Sequence, residues 1–190
     1  MTRTLLAALA ATLLAASPVR AEEATVKRIM LAALAATVLT AAPSRAEDAI
    51  ITYKSLAPDT AFELARAALE QCRKDGFQVA VVVIDRFGAP LVMLRDRYAG
   101  LAAPATATGK AWTAVSFSRN TADLVKAIRD GQLSPGLANL PNVVMLAGGL
   151  VIEAGGSLVG GIGVAGAPGG DKDEACAKAG LEQIRDKLDF

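Results

Sequence analysis

Histidine is absent from the 190-residue chain. Without an imidazole base, no serine or cysteine of this protein has its usual activating partner, which excludes triad chemistry of the serine-hydrolase type. General acid–base work would therefore fall to Asp, Glu, Lys or Tyr. No two of these residues are convincingly paired by the sequence pattern.

Aromatic residues are scarce, at 4% of the chain, so the core must be built from small and branched side chains. The cysteines number two, Cys72 and Cys176, and their spacing matches no metal or redox motif. Both lie on apolar helix faces. A disulfide and a pair of buried reduced thiols are equally compatible with this pattern.

Clusters of basic residues are also lacking, which argues against nucleic acid as a partner. From residue 47 onward the chain has 15 Lys and Arg against 17 Asp and Glu, a net charge of −2. The same part contains no hydrophobic run of membrane-spanning length. The sequence therefore predicts no membrane segment after removal of its N-terminal region.

The N-terminal region contains a repeat, because LAALAAT occurs at residues 6–12 and again at 31–37. Each copy has a basic start, a short apolar run, a proline and a small-x-small ending, which is the layout of a secretory signal peptide. A duplicated signal and a working signal that begins at Val26 or Met30 both predict cleavage after Ala46. We therefore expect a cleaved region 1–46 and a single domain, 47–190, in the periplasm or secreted.

Periodicity and turn residues predict an α+β domain of the order α-β-β-α-α-β-β-β-α, with an antiparallel sheet covered by helices. The first helix opens at Pro58 and closes at Gly76, and Gly155-Gly156 forms a hairpin turn. Further helices are predicted at 105–117, 121–129 and 173–188, and strands at 78–85, 90–96, 142–148, 149–154 and 157–166.

The stretch GIGVAGAPGGDKDEA, residues 161–175, places a glycine-rich loop directly before the last helix. The free amides and dipole of a helix N-terminus favour an anion such as a carboxylate or phosphate. Two alternatives remain open: Asp171 or Asp173 caps the helix, or Asp171, Asp173 and Glu174 hold a hard cation.

Three segments together resemble the GlcG/HbpS family of haem-binding-like proteins. They are VVVIDRFGAPLVMLRD, the K-A-x-T-A segment at Lys110 to Ala114, and VGGIGVAGAPGGDKDEACAKAG. The resemblance covers nearly all of residues 56–190. It implies a profilin-like α+β fold, homo-oligomers, and binding of haem or a role in glycolate or diol utilisation.

The resemblance also directs attention to a pocket between the K-A-x-T-A helix and the glycine-rich loop. Relatives often carry serine where Ala165 stands here. The expected ligand-binding residues for a small anionic ligand, with haem as the possible cofactor, are Lys110, Thr113, Gly163, Gly166, Gly169, Gly170 and Asp171.

Haem iron would need a ligand other than histidine, the commonest one. Met93 and Met145 are expected in the core, and Tyr98, in a loop, is the better candidate. The leading hypothesis is an exported small-ligand-binding protein. The alternatives are an enzyme that acts on a small hydroxy- or oxo-acid, with Lys110 binding the carboxylate, and a structural or signalling subunit without a ligand.

Overall fold

Four helices and four strands follow one another in the residues that the computed structural model describes, 50–189. The predicted signal region 1–46 lies outside these residues. None of the described helices has the length and apolar character that crossing a membrane requires. The helices are α1 (Pro58–Lys74), α2 (Ala103–Ser116), α3 (Thr121–Arg129) and α4 (Gly170–Gln183), and the strands are β1 (Ala80–Asp85), β2 (Pro90–Arg95), β3 (Gly149–Ala154) and β4 (Ser157–Ala165).

The strands form one antiparallel sheet in the order β2-β1-β4-β3. Two hairpins, β1–β2 and β3–β4, supply the edge pairs, and the long-range pairing of β1 with β4 joins them. Gly155 and Gly156 both have positive φ in the β3–β4 turn, as the double glycine predicts. The predicted α+β class with an antiparallel sheet is confirmed.

Alternate residues of the buried strand β1 serve two separate cores. Val81 and Val83 pack in the larger core with residues of α1 and α4. Val82 and Ile84 point to the opposite face, where α2 covers them. The period-2 alternation of a strand therefore places helices on both sides of the sheet.

The predicted strand at residues 142–148 is wrong, since these residues form turns and extended coil. The segment instead runs along α2, where the Val144 amide donates to Thr113 Oγ1 at 2.8 Å and Val144 packs against Gly109. An apolar run alone does not distinguish a strand from a buried coil segment.

Helix α4 begins at Gly170, three residues before the predicted start. Its α-helical part ends at Gln183, and a short 3₁₀ turn, Arg185–Lys187, follows. The earlier start matters for function because it places Gly170, Asp171 and Asp173 in the first turn of the helix.

A disulfide joins α1 to α4, which settles the alternative left open by the sequence. Cys72 and Cys176 are bonded, with Cα atoms 5.4 Å apart, and both are fully buried in the larger core. The first and last helices of the domain are thereby cross-linked side by side.

Candidate functional site

Helix α2 lies unusually close to the sheet because glycines of β4 leave room for its backbone. A Cβ atom at Gly163 would be 2.0 Å from the carbonyl oxygen of Ala107 and 2.7 Å from the amide nitrogen of Ala111. A side chain there would have to push α2 away from β4. Gly163 therefore sets the distance between helix and sheet, and this close packing brings Lys110 to the end of β4.

Lys110 is buried, with 2% of its surface exposed. Its Nζ donates to the carbonyl oxygen of Val164 at 2.9 Å and to Asp173 Oδ2 at 2.7 Å. Asp173, which is 3% exposed, accepts from the Ala167 amide through Oδ1 at 3.0 Å. The Lys110–Asp173 pair thus ties together α2, the end of β4, and the first turn of α4.

The loop between β4 and α4, residues 166–169, is shaped by its glycines. Gly166 has φ +130°, and a Cβ atom there would be 2.7 Å from the carbonyl oxygen of Gln78. A Cβ atom at Gly170 would likewise be 2.7 Å from the carbonyl oxygen of Ala147. Gly169, at the N-cap of α4, has the extended φ of −151°, which any residue can adopt.

Three amides at the start of α4 have no acceptor within the described part of the chain: those of Gly169, Gly170 and Asp171. The next two amides, of Lys172 and Asp173, donate to the Gly169 carbonyl oxygen at 3.0 and 3.2 Å. Unpartnered amides of a first turn, together with the helix dipole, are suited to an anionic group.

A cleft of about 500 Å³ lies between α2 and the β4–α4 loop. Small residues dominate its lining, so a ligand can approach the backbone closely. Four of the expected site residues, Lys110, Gly166, Gly169 and Gly170, line it. The remaining lining residues are Gly100, Ala102, Ala103, Thr106, Leu146, Ala165, Ala167, Pro168 and Asp173.

Thr113, Gly163 and Asp171 are not among the residues that line the cleft. The Thr113 hydroxyl donates to the Gly109 carbonyl oxygen at 2.7 Å and accepts from the Val144 amide, so it holds residues 142–148 against α2. Asp171 is exposed beside Lys172, with 3.8 Å between carboxylate and ammonium. Its carboxylate lies next to Gly169, where a Cβ atom would be 2.4 Å from Asp171 Oδ1.

The acidic first turn of α4 forms ion pairs rather than a cation site. Asp173 pairs with Lys110, and Glu174 pairs with Lys178 at 2.6 Å. Across residues 50–189 no cluster of three metal-ligating side chains is present.

Asp173 is the site residue that the sequence reasoning missed, because it was interpreted as a cap or a cation ligand. The available signal is a lysine within a segment of small residues, Gly109-Lys110-Ala111, since small residues allow a helix to pack closely and to bury the lysine between them. Such a lysine needs a buried carboxylate partner. The sequence alone could not say which carboxylate that was.

Two exposed side chains flank the cleft-lining residue Gly100 in the sequence of the loop before α2. Leu101 is 95% exposed and Tyr98 is 77% exposed, on either side of the lining residue Gly100. The Arg97 guanidinium lies 5.7 Å from the centre of the Tyr98 ring. The expected iron ligand Tyr98 is therefore at the surface, near the cleft in sequence but not among its lining residues.

Among the described residues, the carboxyl group with a clearly shifted pKa is Glu70, which lies on the exposed face of α1 and not in the cleft. The hydrogen bond from Arg66 lowers the pKa of Glu70, and the charges of Arg66, Lys74 and Arg73 act in the same direction. Glu63, Arg66 and Glu70 line a separate surface groove with Phe62 and Gln183, away from the cleft.

Comparison with known protein families shows to which family the chain belongs. The family model described as "Haem degrading protein HbpS-like" matches residues 56–182, which is most of the residues that the structure describes. The chain belongs to the HbpS-like family. The family match covers α1 through nearly all of α4, including every residue of the cleft. No curated protein matches the chain at a significant level.

Solved structures of HbpS-like proteins share the fold. Crystallographic HbpS is 41% identical with a TM-score of 0.68, and the match covers 74% of this chain and 97% of HbpS. A double mutant of HbpS from Streptomyces reticuli is 42% identical with a TM-score of 0.67, covering 75% and 97%. The structure of a PduOC–haem complex is 30% identical with a TM-score of 0.65, covering 68% and 95%.

Proposed function

We propose that this chain, after removal of residues 1–46, is an exported protein that binds haem in the cleft beside the Lys110–Asp173 pair. The observation that carries the proposal is this cleft, with unpartnered amides at its edge, in a member of a family described as haem-degrading. A similar protein of known structure, PduOC, was solved with haem. Bound haem would supply iron-centred redox chemistry.

The size and lining of the cleft fit a flat, mostly apolar ligand with anionic edges. Its volume of about 500 Å³ is within the range of roughly 300–1,000 Å³ that is typical of small-molecule sites. Ala102, Ala103 and Leu146 offer apolar contact surface. The amides of Gly169 and Gly170 would receive a propionate.

Iron ligation is the demanding part of the proposal, because the chain has no histidine. Phenolate oxygen is an established protein ligand of haem iron. We assign this role to Tyr98, because its side chain is exposed and it lies two residues before the cleft-lining Gly100 in sequence.

Export is supported by two independent features. The repeated segment at residues 6–12 and 31–37 has the layout of a signal peptide. The Cys72–Cys176 disulfide is of the kind that persists in an oxidising compartment such as the periplasm. Assembly into homo-oligomers also belongs to the proposal. Met93 is exposed rather than in the core as expected, and together with Phe87 and Leu101 it is a suitable interface residue.

Hemin titration of the 47–190 chain tests the proposal, with Thr106→Trp as the blocking variant. Thr106 is half-buried and lines the cleft, so an indole there would occupy space that haem needs. We expect a red-shifted Soret band with micromolar affinity for the wild type. The Thr106→Trp variant should bind at least about tenfold more weakly, because the indole would exclude the porphyrin from part of the cleft; a tenfold loss corresponds to about 1.4 kcal/mol.

Ala105→Trp is the matched control, because Ala105 is exposed on the same helix and does not line the cleft. It should bind hemin like the wild type. Equal affinities for the two tryptophan variants would place haem outside the cleft, and no Soret shift in the wild type would remove haem binding altogether.

A further inference from the structure

The inner side of the cleft contains two buried charges of opposite sign. Lys110 and Asp173 both line the cleft, and their charged atoms are 2.7 Å apart. In the described part of the chain, no other charged residue lines it. Asp171 and Lys172, the nearest charges along α4, are exposed and screened by solvent.

The pair leaves the cleft without net charge while keeping one charge of each sign near any ligand. Charges that are this deeply buried interact strongly with their surroundings, because little water screens them. Removing one partner would therefore leave an uncompensated charge that acts directly on the ligand.

We propose that the Lys110–Asp173 pair determines which ligand charge the cleft accepts, with Asp173 restraining the attraction of Lys110 for carboxylates. The ammonium uses two of its three N–H groups on Val164 and Asp173, both within the protein. In the wild type, a ligand carboxylate is bound mainly by the amides of α4. This inference rests on the proposed function. It gives Asp173 a role in ligand selection that does not involve the haem iron.

The hydrogen bonds of the pair allow substitutions that change charge with little change of shape. Asp173→Asn retains a carbonyl oxygen that can accept from the Ala167 amide, while its NH2 group replaces the oxygen that accepts from Lys110 and so frees an N–H of the ammonium. Lys110→Met retains most of the buried aliphatic stem and removes the ammonium. The double variant Lys110→Met/Asp173→Asn restores a cleft without net charge but has no ion pair.

The experiment measures binding of metal-free mesoporphyrin IX and its dimethyl ester to these four proteins by porphyrin fluorescence. The two probes have the same porphyrin ring, but the two propionate carboxylates of the acid are neutral methyl esters in the second probe. Because neither contains iron, iron ligation does not affect the comparison. The measured quantity is the ratio of the ester Kd to the acid Kd. Thermal unfolding of each variant identifies the temperature at which all four are folded, and binding is measured there.

We expect Asp173→Asn to raise this ratio by about tenfold or more, because an unpaired buried charge has a large effect on the choice of partner. Lys110→Met should lower it by a similar factor. The double variant should return to within about threefold of the wild type, since the two charges are removed together.

Two outcomes would overturn the inference, one seen in the single variants and one in the wild type. If both single variants weaken acid and ester equally, the pair has a purely structural role while porphyrin binding itself stands. If the wild type binds neither probe, the charge selectivity fails, while the proposed function is decided separately by the hemin titration.

Discussion

Loss of the Cys72–Cys176 disulfide is expected to lower the free energy of unfolding by about 4 to 5 kcal/mol, the loop-closure value for roughly 100 residues. The two cysteines are 104 residues apart in sequence, so the bond closes a loop that spans most of the described domain. It also fixes α4, whose first turn carries Asp173 one helical turn before Cys176. The measurement is urea denaturation of the 47–190 chain and of its Cys72→Ala/Cys176→Ala variant.

Reductant on the wild type provides the matched comparison, because it breaks the bond and leaves every side chain in place. The double variant should show no response to reductant. Thiol titration verifies that the wild type has been reduced. A fully reduced wild type with an unchanged unfolding midpoint would contradict the role that we assign to the cross-link.

Gly163→Ala is expected to destabilise the protein by at least about 3 kcal/mol, the upper end of the usual cost of overpacking. The added methyl would lie 2.0 Å from the Ala107 carbonyl oxygen and 2.7 Å from the Ala111 amide nitrogen. Both are backbone atoms of α2, so no side chain can turn aside and the helix itself must move. Because Lys110 lies between these two residues, hemin affinity should fall as well.

Gly100→Ala is the control for this substitution. Gly100 lacks a positive φ, and a Cβ atom there would meet nothing within 4 Å. Its unfolding midpoint should match the wild type. A Gly163→Ala loss below about 1 kcal/mol would mean that α2 can move away from β4 at little cost, contrary to the close packing described above.

The sequence predicts most of the fold because its strongest signals are local. The β-branched run at 78–85, the glycine pair Gly155-Gly156 and the helical spacing after Pro58 each specify an element without reference to the rest of the chain. The segment 142–148 is not a strand because its conformation depends on long-range contacts with α2, at Thr113 and Gly109. The disulfide stayed open for a related reason, since periodicity does not give the distance between α1 and α4.

The candidate site likewise has residues that the local sequence identifies and an arrangement that depends on long-range contacts. Lys110 and the glycines of the β4–α4 loop were identifiable from composition, motif and family resemblance. Their proximity depends on the pairing of Ala80 with Ala165 and on the packing of α2 against Gly163, which are long-range features. Asp173 was missed because an acidic residue in a first helical turn is explained by the dipole alone.

A crystal structure of the 47–190 chain with bound haem tests the central claim most directly. The account predicts the macrocycle between α2 and the β4–α4 loop, with a propionate on the amides of Gly169 and Gly170. Haem bound in another place, with the cleft beside the Lys110–Asp173 pair left empty, would contradict it.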